Sequence, residues 1–142
     1  MRQRPVPKLL ILTALSLLML IGCASAPSDK ERQDRFQSWE NVVRWAEHKD
    51  GLIDFIDPDW LAENPISSLD IDRLQQFRVT EYRVRQVIAD PEGLELERRV
   101  QLRLYHIHTA RERTIDHREL WRYDEERDIW MLHSGIPDPR RY

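Results

Sequence analysis

The 142-residue sequence is poor in cysteine and glycine, with one Cys and four Gly. A lone cysteine has no partner for an intramolecular disulfide. The longest apolar run, residues 9–21, is shorter than the roughly 20 residues that a membrane-spanning helix needs. The sequence also lacks a P-loop, a Rossmann glycine pattern, G-x-S-x-G and H-E-x-x-H. No familiar motif therefore points to a reaction class.

Charge is distributed unevenly along the chain. The first 22 residues hold three basic side chains and no acid, so residues 23–142 hold 19 basic and 25 acidic side chains, a net charge of −6. This balance argues against general nucleic-acid binding, which usually shows a basic face. The remaining 120 residues suffice for one domain, and five tryptophans favour a packed globule. We therefore expect a single globular domain and no nucleic-acid partner.

The N-terminus has the three parts of a secretory signal peptide. Arg2, Arg4 and Lys8 form a basic start, residues 9–21 form an apolar centre, and small residues follow. We predict a signal peptide at residues 1–22, a flexible tether of small, polar and charged residues at 23–33, and a single α+β domain at 34–142.

Residues 20–23, with the sequence Leu-Ile-Gly-Cys, resemble the lipobox of bacterial lipoproteins. The resemblance implies cleavage between Gly22 and Cys23 and lipid attachment at Cys23, whose several acyl chains would hold the protein firmly in a membrane. In Gram-negative lipoproteins an Asp after the cysteine favours the inner membrane. Here Ala24 and Ser25 follow, which implies the periplasmic face of the outer membrane. In a Gram-positive host the anchor would instead lie in the outer leaflet of the single membrane.

The first half of the predicted domain is helical. Apolar residues at three- and four-residue steps predict a surface helix that ends near Asp50 and Gly51. The residues of this stripe are Phe36, Trp39, Val42, Val43 and Ala46. Residues 52–56 predict a further short turn. Asp57 before Pro58 predicts the start of a short helix, and Ser67 with Asp70 predicts a capping box for another.

The second half changes to a period of two, which predicts strands. Residues 77–88 and 94–108 alternate around a three-residue loop that ends in Gly93, a common hairpin connection. Matching apolar faces sets the register, because a slip of one residue would flip one strand. The predicted pairs are Tyr82–Leu102, Val84–Val100 and Ile88–Leu96. Two further strands are predicted at 112–123 and 129–133, with charged residues of 95–103 on a solvated outer face.

Helices followed by about four antiparallel strands define an α+β class. Residues 118–137, RELWRYDEERDIWMLHSGIP, resemble the last two strands of the nuclear-transport-factor-like (SnoaL-like) superfamily. The resemblance implies N-terminal helices packed on a curved antiparallel sheet, a cone that is reduced here because the short strands that many members insert are not found.

A possible pocket is predicted from three residues, His106, His117 and Glu119. A two-residue turn at Ala110 and Arg111 would place all three on one face of the sheet. Imidazoles with a carboxylate could bind a metal or transfer protons near neutral pH. The alternative is half-buried, hydrogen-bonded histidines without chemistry. We assign no catalytic residue, no metal and no cofactor.

The sequence favours a lipid-anchored envelope protein whose non-enzymatic domain binds an envelope protein or a small molecule. One alternative is a small enzyme that uses His106, His117 and Glu119 in a SnoaL-like pocket. Another is a structural subunit of an envelope assembly. Four of the five tryptophans are explained as core residues, whereas Trp45 lies off the apolar stripe and is a candidate partner contact.

Overall fold

The computed structural model describes residues 27–140. The predictions for the signal peptide and for lipidation of Cys23 lie outside these residues. The elements are helix α1 (Asp29–Trp45), a 3-10 helix (Asp50–Phe55), helices α2 (Pro58–Glu63) and α3 (Ser68–Gln75), and strands β1 (Phe77–Ala89), β2 (Glu95–His106), β3 (Glu112–Asp124) and β4 (Ile129–Leu132). Among the described helices, none has the length and apolarity to span a membrane.

Helix α1 starts earlier than the sequence analysis predicts. The Ser28 hydroxyl accepts from the Glu31 amide at 3.2 Å, and the Glu31 carboxylate accepts from the Ser28 amide at 3.3 Å. This capping box satisfies two amides that a helix start otherwise leaves without partners. The predicted tether at 23–33 is therefore wrong for residues 29–33, which are helical.

The short helices begin where the sequence predicts. The Asp57 carboxylate accepts from the amides of Asp59 and Trp60 at 3.1 and 2.9 Å, with Pro58 at the first helical position. Ser67 and Asp70 form the second predicted capping box. In the sequence, these helices and the 3-10 helix follow α1 and precede the sheet, and Ile56 forms a parallel bridge to Leu132 of the last strand.

The sheet is antiparallel with strand order β1-β2-β3-β4, so the predicted α+β class and the four strands are confirmed. Its inner face packs against α1, where Trp39 and Val43 are fully buried. The outer face carries ion pairs, such as Glu97 with Arg118 at 2.7 Å, which confirms the prediction of a charged, solvated surface.

The β1–β2 register is partly as predicted. Tyr82 pairs with Leu102 and Val84 with Val100, which confirms two of the three predicted pairs. Ile88, however, pairs with Glu97 rather than Leu96. The cause is an irregularity between Val84 and Gln86, where an extra residue shifts the register by one.

The β2–β3 register differs by four residues from the prediction. The turn is not a two-residue turn at Ala110 and Arg111, because β2 ends at His106 and β3 begins at Glu112. His117 therefore pairs with Val100 rather than with Leu104. An even shift keeps each side chain on its predicted face but moves it along the sheet.

Candidate functional site

The three residues of the predicted pocket do not meet. His106 is paired with Phe77 at one end of β2, whereas His117 is paired with Val100. Six residues of strand separate these positions, about 20 Å at the rise of an antiparallel strand. Glu119 lies two positions from His117 on the same face of β3 and is fully buried. The prediction of one pocket shared by His106, His117 and Glu119 is therefore wrong.

Glu119 is the centre of a buried polar cluster. Its Oε1 accepts from the indole Nε1 of Trp39 at 2.8 Å and from the hydroxyl of Tyr82. Its Oε2 accepts from the indole Nε1 of Trp121 at 3.1 Å and lies 3.2 Å from Nη1 of Arg98. A buried carboxylate needs such partners, because its desolvation is otherwise costly.

Aromatic rings surround the cation of this cluster. The Arg98 guanidinium lies 4.7 Å from the ring centre of Phe36 and 5.8 Å from that of Tyr82. Burial, and then the negative charge of Glu119, raises the pKa of the Tyr82 hydroxyl, so this group is a donor at neutral pH. The cluster joins α1 to three strands, and both oxygens of its carboxylate accept hydrogen bonds from side chains of the core. These contacts favour a structural role for Glu119.

The C-terminal groove is a cavity of about 520 Å³ between the edge of β3, the tail (residues 133–140) and helices α2 and α3. Its lining includes Trp60, Ile66, Asp116, His117, Arg118 and Ile136. Consecutive strand residues point to opposite faces of a sheet. A wall that contains residues 116, 117 and 118 therefore follows the edge of β3 rather than one face.

The sequence of the tail explains why the groove is open. His133 still donates its amide to the carbonyl of Leu120 at 2.7 Å. Pro137 and Pro139 lack an N–H and cannot continue the strand ladder. The tail meets β3 again where Arg113 donates to the carbonyl of Pro139 at 2.7 Å. Between these two attachments the tail lies beside β3 without backbone pairing.

Charges in the groove are balanced. Its lining contains three arginines and three aspartates: Arg73, Arg118, Arg140, Asp70, Asp116 and Asp138. Asp70 forms an ion pair with Arg73 at 2.8 Å, and Arg140 forms one with Asp138 at 2.9 Å. A hydrogen bond from the Ser67 hydroxyl is the main cause that lowers the pKa of Asp70. The groove thus carries no net charge from these side chains at neutral pH.

His133 is the second histidine of the groove. Its Nε2 lies 3.9 Å from the Asp57 carboxylate, which would favour the charged imidazolium. Burial has the larger effect and lowers the pKa of His133. The imidazole is therefore mostly neutral at pH 7 and can accept or donate a hydrogen bond.

A smaller cleft of about 290 Å³ lies between α1 and the β3–β4 hairpin. Arg35 lines it, but its guanidinium is bound to the carbonyls of Trp130 and Asp54 at 3.1 and 2.9 Å. Burial lowers the pKa of Arg35. Its donors hold α1 to β4 and to the 3-10 helix, so the guanidinium is already engaged by backbone carbonyls of this chain.

Within residues 27–140, no group of three or more His, Cys, Asp or Glu side chains is arranged to hold a metal ion.

The hydroxyl of Tyr123 donates to Asp128, which raises the pKa of Tyr123 to about 12.

Comparisons with known proteins give little guidance. No protein-family model matches the chain, and no curated relative matches it. Among solved structures, the intermembrane space region of the chloroplast protein ARC6 has a TM-score of 0.40 and 13% identity, over 79% of this chain and 97% of that chain. A similarity at this level supports no statement about function.

Neither the groove nor the buried contacts of Glu119 are predicted from the sequence. The tail prolines, which mark the end of strand pairing, were a usable signal for the groove. The partners of Glu119 gave no local signal, because Trp39 is 80 positions away and Tyr82 is 37 positions away.

Proposed function

We propose that this protein is a lipid-anchored component of a bacterial envelope whose domain binds a partner through the C-terminal groove. The anchor is proposed from residues 20–23, with lipid on Cys23 and the domain on the periplasmic face of the outer membrane. Membership of the SnoaL-like superfamily also stays a proposal, with which the order of helices and strands is compatible.

The groove is the observation that supports binding. It is a concave region of about 520 Å³, within the size range of ligand sites, and combines apolar side chains with polar groups. The acidic residue of the inner face, Glu119, is instead occupied by partners inside the core. Binding is therefore favoured over the alternative of acid–base chemistry at His106, His117 and Glu119.

The anchor is tested by substitution of the cysteine. Cys23→Ser should abolish incorporation of a labelled fatty acid and leave the signal peptide uncleaved. Ala24→Ser is the control and should keep both the labelling and the cleavage. Mass spectrometry of the native protein that shows an intact first methionine, or an unmodified Cys23, would contradict this part of the proposal.

Binding is tested by site-specific photo-crosslinking in intact cells. A crosslinking residue at Ile136, which lines the groove, should give one dominant adduct. The matched control places the crosslinking residue at position 103, because Arg103 is exposed on the outer face; this variant should not give that adduct. Equal adducts from both positions, or none from Ile136, would count against a binding groove.

A second candidate, the structural subunit, is supported by exposed apolar residues on β1. Val87 and Ile88 are 54% and 44% exposed near the end of this edge strand, and Trp45 is 66% exposed on α1. Isolated exposed residues of this kind are common, so the groove remains the preferred site. Light scattering of the purified protein that shows a stable oligomer would favour the second candidate.

A further inference from the structure

The edge of β3 inside the groove has backbone groups without a partner strand. Leu120 directs its backbone toward β4, since its carbonyl accepts from His133 and its amide donates to the Ser134 hydroxyl at 3.2 Å. Tyr123 directs its amide the opposite way, to the Leu94 carbonyl at 2.9 Å.

Backbone direction alternates along a strand, so Arg118, Asp116 and Thr114 point their N–H and C=O groups to the same side as Leu120. Within residues 27–140, no backbone hydrogen bond joins these three residues to the tail. Two of them, Asp116 and Arg118, line the groove. The groove therefore offers a row of main-chain donors and acceptors at two-residue spacing.

The chain already uses this edge for strand pairing. Residues 121–124 of β3 pair with residues 129–132 of β4, and Leu120 is hydrogen-bonded to His133 and Ser134 of the tail. Residues 114–118 lie beyond this point on the same edge. The tail cannot occupy the open positions as a strand because two of its residues, Pro137 and Pro139, lack an amide hydrogen. A second extended segment would extend the ladder that β4 begins.

From this geometry we propose that the groove binds an extended peptide segment of a partner protein, which adds to β3 as a strand. This inference rests on the binding function proposed above and specifies its ligand class. In strand addition, main-chain hydrogen bonds give affinity and alternate side chains give specificity. The stretch 114–118, in which three residues direct their backbone to the open edge, spans about 17 Å, the length of five residues of an ordinary strand.

The walls of the groove define the chemistry of the segment. Trp60, Ile66 and Ile136 are half-buried apolar residues beside the open edge. Apolar side chains at alternate positions of the guest would contact them. The balanced charges of the groove favour a segment with low net charge over a strongly acidic or basic one.

The other free edge of the sheet is less suited to a guest strand. Strand β1 has register irregularities between Val79 and Glu81 and between Val84 and Gln86. It also has exposed basic side chains at Arg83 and Arg85. Bulges and charges are the features that keep natural edge strands from pairing.

The test uses the purified full-length chain in detergent and a phage-displayed library of random nine-residue peptides. In the free protein, the amides of Thr114, Asp116 and Arg118 should exchange with solvent faster than those of Ile115 and His117, which face β2. Saturation with the best synthetic peptide should slow exchange at the first three amides by about tenfold or more and leave the other two unchanged.

Peptide chemistry supplies the matched control. N-methylation of peptide amides at one set of alternate positions should abolish binding, because these amides donate to β3. N-methylation at the intervening positions should leave binding nearly unchanged. Peptides that bind without slowing any of the three amides, binding that is equally sensitive at every position, or a library without binders would each overturn the inference.

These outcomes are separate from a failure of the proposed function. If the library gives no binder but Ile136 still crosslinks to one partner in cells, the groove binds by another mode. If a peptide adds to β3 but no cellular adduct forms, strand addition is supported as a property of the groove, and the proposed binding of an envelope partner is contradicted.

Discussion

The indole N–H of Trp39 donates to the carboxylate of Glu119 at 2.8 Å, although 80 positions separate the two residues in the chain. This bond joins the middle of α1 to β3 inside the core, where both residues are fully buried. The same carboxylate lies 3.2 Å from Arg98. One acidic residue therefore couples the helix to the sheet.

Glu119→Gln should destabilise the protein by about 3 kcal/mol, because it leaves the buried Arg98 guanidinium without its counter-charge. Urea denaturation followed by tryptophan fluorescence measures the loss. Glu97→Gln on the outer face is the matched control, since its ion pairs with Arg99 and Arg118 are partly exposed and should contribute less than about 1 kcal/mol. Equal losses in the two variants would contradict the structural role of Glu119.

Ser28→Ala should remove the capping box of α1 and cost about 1 kcal/mol. The first turn should fray, so the Glu31 amide should exchange faster with solvent. Ser38→Ala is the control, because Ser38 is an exposed mid-helix residue whose hydroxyl donates to the carbonyl of Asp34. An unchanged Glu31 amide in the first variant would mean that α1 does not begin at Asp29.

Lys49→Met tests a buried ammonium that donates to the carbonyls of Val42 and Val43 at 2.9 and 2.8 Å. Burial lowers the pKa of Lys49 from 10.5 to about 8. Between these two values the unfolded chain binds more protons than the folded protein, so the free energy of unfolding rises with pH. Wild type should therefore gain stability relative to Lys49→Met from about pH 8 to pH 10.5.

Denaturation midpoints at several pH values across this window give the comparison. Lys30→Met is the control, because Lys30 is exposed and its pKa is raised by Asp34 rather than lowered. Its variant should show no gain of the kind expected for Lys49. A difference between wild type and Lys49→Met that stays flat with pH would refute the lowered pKa.

The double substitution Arg83→Val and Arg85→Val should promote self-association through the β1 edge, because it removes two charges beside Val84 and Val87, which are already exposed. Size-exclusion chromatography over a concentration series should show a larger species. Arg99→Val in the central strand adds an exposed apolar residue without a free edge and should stay at the wild-type elution volume.

Local sequence signals predict the starts of α2 and α3 and part of the sheet. Asp57 with Pro58, and Ser67 with Asp70, cap helices as their spacing indicates. The register at Val84 was also predictable, since a one-residue slip would have flipped an apolar face. These features depend on residues that are close in sequence.

Features that depend on distant contacts were not predictable. The irregularity after Val84 shifts Ile88 by one position without any glycine to mark it. Glu119 lies on the inner face, and its partners come from α1, β1 and β2 as well as from β3 itself. A charged residue on an apolar face is ambiguous until its counter-charge is known.

The early start of α1 limits how far the domain can stand from its proposed anchor. Five residue steps separate Cys23 from the helix cap at Ser28, and a fully extended chain covers at most about 18 Å over that length. With so short a linker, the domain would stay within about its own radius of the lipid headgroups. A partner in a distant layer of the envelope would have to come to it.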